Sequence, residues 1–433
     1  MASTFASPRR SPRLNGFARS GTIEGTSLIT STAATIQEQQ TTMAGLSVLT
    51  FNCWFEDDEL EQRAAALFAD IQTHAYDIVG LQEVTPPLLA LLRAHAALCA
   101  EFALSSDALC PAEHEQGEGW EMTNTLYGGV RPYGCLLLVR TATCGDAAFE
   151  VTDLPGGMER TLISAVLPAL GGLTVGVVHL ESLGTQPTRE EQLEIITAKL
   201  DSAAAAAAGG GGGPGQRLLL GDFNFDARRP WNPRYTDPYD GVAAADEAAA
   251  VADEVQEEEM LPEVQAMAPV RSLRTPSPVA GERSRLPEEI AAAQHDDNAC
   301  LQRIMGPSGY VDCWSQMHDE AAGDFGFTFD SKLNGNCQGG ARLLAGRAAA
   351  AARGGGGKGV AVAGKYEQMR YDRIMTALPA AAAGGYRLTS VELALTEPLP
   401  VGRHERWLQY LTCEQLKLWP SDHFGVVAKF AKV

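Results

Sequence analysis

Eight polar residues border short apolar runs, and their types match what phosphoester hydrolysis needs. Asn52 closes "LTFN", Glu83 follows "DIVGLQ", His179 ends "VGVVH", and Asp222 and Asn224 follow "LLLG". Asp372 opens "DRIM", and Asp422 and His423 directly precede "FGVVAKF". Attack on a phosphodiester requires a metal to neutralise phosphate oxygens, a group to position and deprotonate water, and donors for the developing charge. Hard oxygen ligands suit Mg²⁺, which keeps several waters and takes one or two carboxylates. Glu83 fits that role, with Asn52 as a neutral partner; Mn²⁺ favours the same donors and can substitute. Asp222 fits the water-activating role, where general-base help is worth roughly 10²–10⁴ in rate. Asn224 can orient Asp222 or the phosphate. His179 and His423 can donate to phosphate oxygens, and a preorganised donor of this kind is worth on the order of 3–4 kcal/mol. Asp372 can hold His423 in the right tautomer and favour its charged form.

Taken singly, each residue has a plainer explanation. A Glu after a strand is usually a solvated loop residue, "GDFN" can be an Asx turn, Asp422 can cap a turn, and His179 can be a satisfied core histidine. The combination, in this order and mostly at strand ends, favours catalysis.

Buried strands would have to aim these groups into one cleft. Leu46 to Phe51, Ile78 to Leu81, Cys135 to Val139, Leu162 to Val166, Leu173 to His179, Leu218 to Leu220 and Phe424 to Phe430 read as strands. Leu60, Ala64, Leu67, Phe68 and Ile71 repeat at helical spacing, as do Leu193, Ile196 and Leu200, and Pro86-Pro87 suits a helix start. Strands and helices alternate early, and later strands follow one another more closely. That pattern predicts a sheet-on-sheet core with helices outside.

The rest of the chain limits the function. A net charge of −20 argues against a passive, charge-driven nucleic-acid binder, although a bound divalent metal can supply local positive charge in an acidic site. Nine cysteines at irregular spacing suggest reduced thiols, not a zinc site or a disulfide framework. No run of 18 apolar residues is present, so no membrane span is expected. Residues 1–44 are Ser-, Thr-, Ala- and Arg-rich, and fit either an organelle transit peptide or a disordered arm. Stretches 203–214, 237–298 and 338–364 are low in complexity and read as insertions in a catalytic domain spanning 45–433, the middle one with a possible acidic helix around Val242 to Val255.

The motif order resembles the endonuclease/exonuclease/phosphatase superfamily, whose members run N, QE, H, GDxN, D and SDH. The resemblance covers about residues 45–202, 215–236 and 299–433. It implies an α/β fold, a four-layered sandwich of two packed, mostly antiparallel sheets flanked by helices, with the site at one edge. It assigns Asn52 and Glu83 to the metal, His179, Asp222, Asn224 and His423 to catalysis or phosphate binding, Asp372 to His423, and Asp422 to the metal's support. Within the superfamily, "LQEVTPP", "HLES", "YGCLLLVRT" and "GYVDCWSQM … GFTFDSKLN" are similar to the tyrosyl-DNA phosphodiesterase 2 family, and "NCWFEDDELEQR" to its plant-type members. That likeness implies a monomer that hydrolyses 5′-phosphotyrosyl bonds at DNA ends, in the nucleus or, through residues 1–44, in a chloroplast or mitochondrion. Phe329 stands where that family has tryptophan, and an aromatic there can stack a base for about 1–3 kcal/mol. Tyr133, Arg160, Ser182 and Arg189 are further candidates for substrate contact. The chain departs from animal members at Leu183-Gly184 and Asp226, where those carry basic residues. Rival readings are an abasic endonuclease, an RNA deadenylase, a sphingomyelinase-like enzyme, or a silent scaffold whose acidic stretch binds a basic partner.

Overall fold

The computed structural model describes residues 45–109, 133–182, 186–208, 215–225, 287–330, 333–338, 368–378, 385–400 and 417–433. In chain order the first half contains β1 (Leu46–Asn52), α1 (Leu60–His74), β2 (Ile78–Val84), α2 (Pro86–Ala94), β3 (Phe102–Leu104), β4 (Gly134–Arg140), β5 (Ala148–Asp153), β6 (Thr161–Leu167) and β7 (Leu173–His179). Then follow α3 (Gln186–Ala207), β8 (Arg217–Asp222), α4 (Pro287–Met305), β9 (Val311–Asp312), β10 (Phe329–Asp330), β11 (Gln368–Met369), β12 (Asp372–Ala377), β13 (Tyr386–Ala394) and β14 (Gly425–Lys432). Short helical turns lie in some of the connections.

One six-stranded sheet has the order β13-β14-β1-β2-β4-β3, and a second has β5-β6-β7-β8-β12-β9. Each contains one parallel pair, β1/β2 and β7/β8, and its other pairs are antiparallel. A parallel pair needs a crossover, which α1 and α3 supply. The apolar residues recur every three or four positions on both helices, so one face of each lies on its sheet.

Three apolar clusters fill the gaps between layers. Val48, Ile78, Leu137 and Val139 of the first sheet meet Ile163, Val175, Val177 and Leu220 of the second. Leu67, Phe68 and Ile71 of α1 and Leu88 and Leu92 of α2 cover the outer face of the first sheet. Leu193, Ile196 and Leu200 of α3 and Leu301 and Met305 of α4 cover the second. Strands covered on both faces are apolar at nearly every position, which explains their continuous hydrophobic runs. Side chains of the second sheet close over Gly80, where a Cβ would lie 3.0 Å from Val177 Cγ2 and 3.1 Å from Leu220 Cδ1. The result is the four-layered α/β sandwich that the sequence predicts.

Two of the expected insertions begin or end within this framework. Ala203–Ala207 are the last turns of α3, with Ala204 buried, because alanine has the highest helix propensity and the preceding helix is already nucleated. Residues 287–298 are the first part of α4, and Asp297 is buried. Residues 1–44, 209–214, 226–286 and 339–367, including the expected acidic helix at Val242 to Val255, lie outside the described residues.

Candidate active site

Chain direction gathers the polar residues on one edge. The C-terminal ends of β1, β2, β7 and β8 share that edge with the starts of the antiparallel strands β12 and β14. In the second sheet the register places His179 beside Asp222 and Asp222 beside Asp372.

Asp222 is the centre of the group. Gly221 before it has φ +152°, and a Cβ there would lie 2.0 Å from the Val178 carbonyl oxygen, so the position accepts only glycine. Asp222 Oδ1 accepts the Asn224 amide at 2.8 Å, the Asx-turn geometry, with Asn224 at φ +46°. The Asn224 side chain donates to the Leu180 carbonyl at 3.1 Å. Asp222 Oδ2 accepts from Asn52 Nδ2 at 2.9 Å and lies 3.6 Å from His179 Nε2 and 4.0 Å from His423 Nε2. Burial opposes its charge, but the two histidines, the Asn224 amide and the Asn52 amide outweigh burial and hold the carboxyl below its ordinary range.

Arg160 determines the tautomer of His179. Its Nη1 lies 3.1 Å from His179 Nδ1, and a guanidinium has only protons to offer. Nδ1 therefore accepts, and Nε2 carries the hydrogen that faces Asp222 Oδ2. Burial, reinforced by Arg160, lowers His179 to about 3, so it is a neutral donor. His423 is the opposite case. Burial alone would strip its proton, but Asp372 Oδ2 at 2.7 Å from Nδ1, with Asp422 and Asp222 nearby, raises it well above 6.5. His423 is an imidazolium with Nε2 turned toward Asp222.

Glu83 sits on a β-bulge. The ladder between β2 and β4 steps from Leu81↔Leu136 to Val84↔Gly134, leaving two residues of β2 opposite one of β4. Glu83 there adopts φ +55°, a conformation costing about 1–3 kcal/mol for a non-glycine residue and concentrated at functional sites. The bulge turns its carboxylate into the cleft, where Oε2 accepts the Phe55 amide at 2.9 Å and Oε1 lies 4.0 Å from His179 Nε2. Burial first, and then the charge of Asp422, push Glu83 up to about 7. Burial also raises Asp422, which is partly offset by His423 and Arg63. Both carboxylates are hard oxygen donors whose ionised forms burial disfavours, and a divalent cation held by them would restore those forms. Asp222, Asp372 and His423 also bring one donor atom each within 4.8 Å of one another, but Asp372 and His423 are engaged with each other. Asn52 Oδ1 accepts the Trp54 amide at 3.0 Å and Nδ2 holds Asp222, so its amide braces the aspartate.

The structure brings four of the five substrate candidates to this cleft. The Phe329 ring packs edge-on to His423 with centroids 5.2 Å apart. Tyr133 stacks on Phe55 at 5.2 Å and lies 6.4 Å from His179. Arg160 lies 5.7 Å from the centre of the Tyr133 ring. Ser182 Oγ donates to Met158 Sδ at 3.1 Å at the margin. Arg189 is the exception. It is 0% exposed, and its guanidinium donates to the Glu181 carbonyl at 2.9 Å and to Gln186 Oε1 at 3.2 Å. It fastens α3 to the segment that follows β7.

Sequence reasoning missed Arg63 and Thr328. The Arg63 guanidinium donates to the carbonyls of Cys53, Trp54, Glu56 and Asp58, packs 4.7 Å from the Trp54 ring, and fixes the loop after Asn52. Thr328 Oγ1 accepts the amides of Tyr371 and Asp372. A single arginine closing an acidic segment carried no such signal, and Thr328 lay in a segment read only for its aromatics.

The profile of the endonuclease/exonuclease/phosphatase family matches residues 49–423, and the chain belongs to that family of phosphoester hydrolases. Among solved structures, D. rerio TDP2 complexed with a single-strand DNA product is 17% identical with a TM-score of 0.46, covering 89% of this chain and 99% of that one. TDP2 from C. elegans is 18% identical with a TM-score of 0.47, covering 94% and 82%. A Bacteroides thetaiotaomicron mannosyl-6-phosphatase is 12% identical with a TM-score of 0.45, covering 89% and 99%. No curated protein matches the chain.

Proposed function

We propose that this protein is a Mg²⁺-dependent phosphodiesterase, with Mn²⁺ as a substitute, that hydrolyses 5′-phosphotyrosyl bonds at DNA ends. The observation that carries the hydrolytic reading is the pairing of an ionised Asp222 with two histidine donors of opposite charge state, 3.6 Å and 4.0 Å away. Asp222 aligns water and accepts its proton, fixed by Asn52 and the Asn224 amide. His179 donates from Nε2 as a neutral group and His423 as a cation, so the two together stabilise charge on phosphate oxygens. Glu83 and Asp422 would hold the metal, which when bound neutralises phosphate charge.

The DNA-end reading rests on the family-like motifs and on aromatic surface flanking the donors, Phe329 on one side and the Tyr133–Phe55 stack on the other. Such faces suit an unpaired base or a phenolic leaving group. Among the described residues no helix is long and apolar enough to cross a membrane. A panel of 5′-phosphotyrosyl DNA, abasic DNA, poly(A) RNA and sphingomyelin, each with Mg²⁺ or Mn²⁺, tests the reading. Turnover of the first is expected, abolished by Asp222→Ala; turnover of another substrate alone refutes the DNA-end assignment. A nuclear location is part of the proposal, and imaging of the tagged full chain checks it.

A further inference from the structure

Asp372 and His423 come from distant parts of the chain, and β12, which Asp372 opens, does not pair with β14, which follows His423. Thr328, Phe329, Asn334 and Asn336 add contacts that hold the two segments in place. Thr328 Oγ1 accepts the amides of Tyr371 at 3.1 Å and Asp372 at 3.0 Å, and its carbonyl accepts the Phe424 amide at 2.7 Å. Phe329 forms an isolated antiparallel bridge with His423. Farther along, Asn334 Nδ2 donates to the Ser421 carbonyl at 2.9 Å, and Asn336 Nδ2 donates to the same carbonyl at 3.1 Å and to that of Trp419 at 2.9 Å. The Asn336 amide is in turn held by Asn334 Oδ1 at 2.9 Å. Asn334 is 0% and Asn336 2% exposed. Two buried side chains thus converge on one carbonyl, two residues before His423. A side-chain amide is required at each, because it donates to a carbonyl at one end and accepts a backbone amide at the other; aspartate would set oxygen against oxygen. Asp330 accepts from Gln368 Nε2 at 2.8 Å, closing the β10–β11 pair from which this segment departs.

We propose that Asn334 and Asn336 are positioning residues for the reaction: they anchor the Ser421 carbonyl and so keep the His423 imidazole seated on Asp372. This rests on the phosphodiesterase reading above. In this arrangement the amides touch neither substrate nor metal and act through His423. Their loss therefore lowers turnover more than substrate binding.

The test uses the full chain, Mg²⁺ and the 4-nitrophenyl ester of thymidine 5′-monophosphate. Asn336→Ala and, as a milder second variant should the first fail to fold, Asn334→Ser are compared with the parent. Misplacement of a catalytic group on the ångström scale predicts kcat lower on the order of 10- to 100-fold with KM nearly unchanged. Combined with His423→Ala, Asn336→Ala adds almost no further loss, since both act on one group. Leu200→Ala, a destabilising change under α3, lowers the melting temperature but leaves kcat near parental, separating positioning from general stability. Parental kcat in folded asparagine variants while His423→Ala is inactive overturns the clamp alone, as do losses that multiply in the double variant. A parent that leaves the ester intact, or a His423→Ala protein as active as the parent, overturns the phosphodiesterase reading and the clamp with it.

Discussion

Replacing Asp372 with asparagine isolates the charge state of His423 from its position. The amide keeps nearly the same shape, so the 2.7 Å contact to Nδ1 survives sterically, but the negative charge is gone. A net 1.5–3 kcal/mol is typical for a hydrogen bond to a charged group, or roughly 10- to 100-fold in rate if it matters in the transition state. The larger effect concerns the proton. Burial favours neutral imidazole, and Asp372 is the main group opposing it. Without that carboxylate the balance shifts toward the neutral imidazole, and loss of the cationic donor adds about 3–4 kcal/mol. Together, kcat is expected to fall about 10³–10⁵-fold. The signature is the pH profile: the variant loses rate at lower pH than the parent as pH rises, because its imidazolium gives up the proton more readily. Steady-state hydrolysis of the thymidine aryl ester at saturating Mg²⁺ measures both, with circular dichroism confirming the fold. Parental kcat with a parental pH profile would show that His423 does not work as an imidazolium.

Three other outcomes are expected. Glu83→Gln raises the Mg²⁺ concentration for half-maximal rate about 10- to 100-fold, as seen when metal-site groups are altered, and an unchanged titration removes Glu83 from the metal site. In the parent the same half-saturation point rises as pH drops below about 7, because a carboxyl raised to that value must lose its proton to bind metal. Gly221→Ala puts a Cβ against the Val178 carbonyl and is destabilising by more than about 4 kcal/mol in chemical denaturation; near-parental stability would contradict the packing at Asp222. His179, lowered to about 3, stays neutral when folded but gains a proton near 6.5 when unfolded, so stability falls as pH drops from 6.5 toward 3, by about 1.4 kcal/mol per unit. His179→Gln should flatten that slope, and an equal slope in both proteins would place the proton uptake elsewhere.

The sequence was most legible where burial on both faces made strands continuously apolar, as in β2, β4 and β7, and where polar residues ended those runs. Less legible were elements defined by position in the assembled sheets. β5 is an edge strand with alternating exposure, and β9, β10 and β11 are two residues long, so they depend on partners remote in sequence. In the site, residue types pointed to the chemistry, but geometry decided the division of labour. Asn52 braces Asp222, Arg160 sets the tautomer of His179, and Arg189 is turned inward; each depends on which atom meets which across the fold, and spacing along the chain carries no trace of that.

The two crossover units have a mechanical consequence. The first sheet supplies Asn52 and Glu83 from the ends of one parallel pair, and the second supplies His179 and Asp222 from the ends of the other. The proposed catalytic constellation is therefore a joint between two slabs, and its alignment depends on how they mate some distance below the cleft. The close approach at Gly80 acts like a shim of minimum thickness. A methyl group added there would press on the Val177 and Leu220 side chains, and unless those give way by a few tenths of an ångström the strain passes to the spacing on which the relation of Asn52 to Asp222 depends.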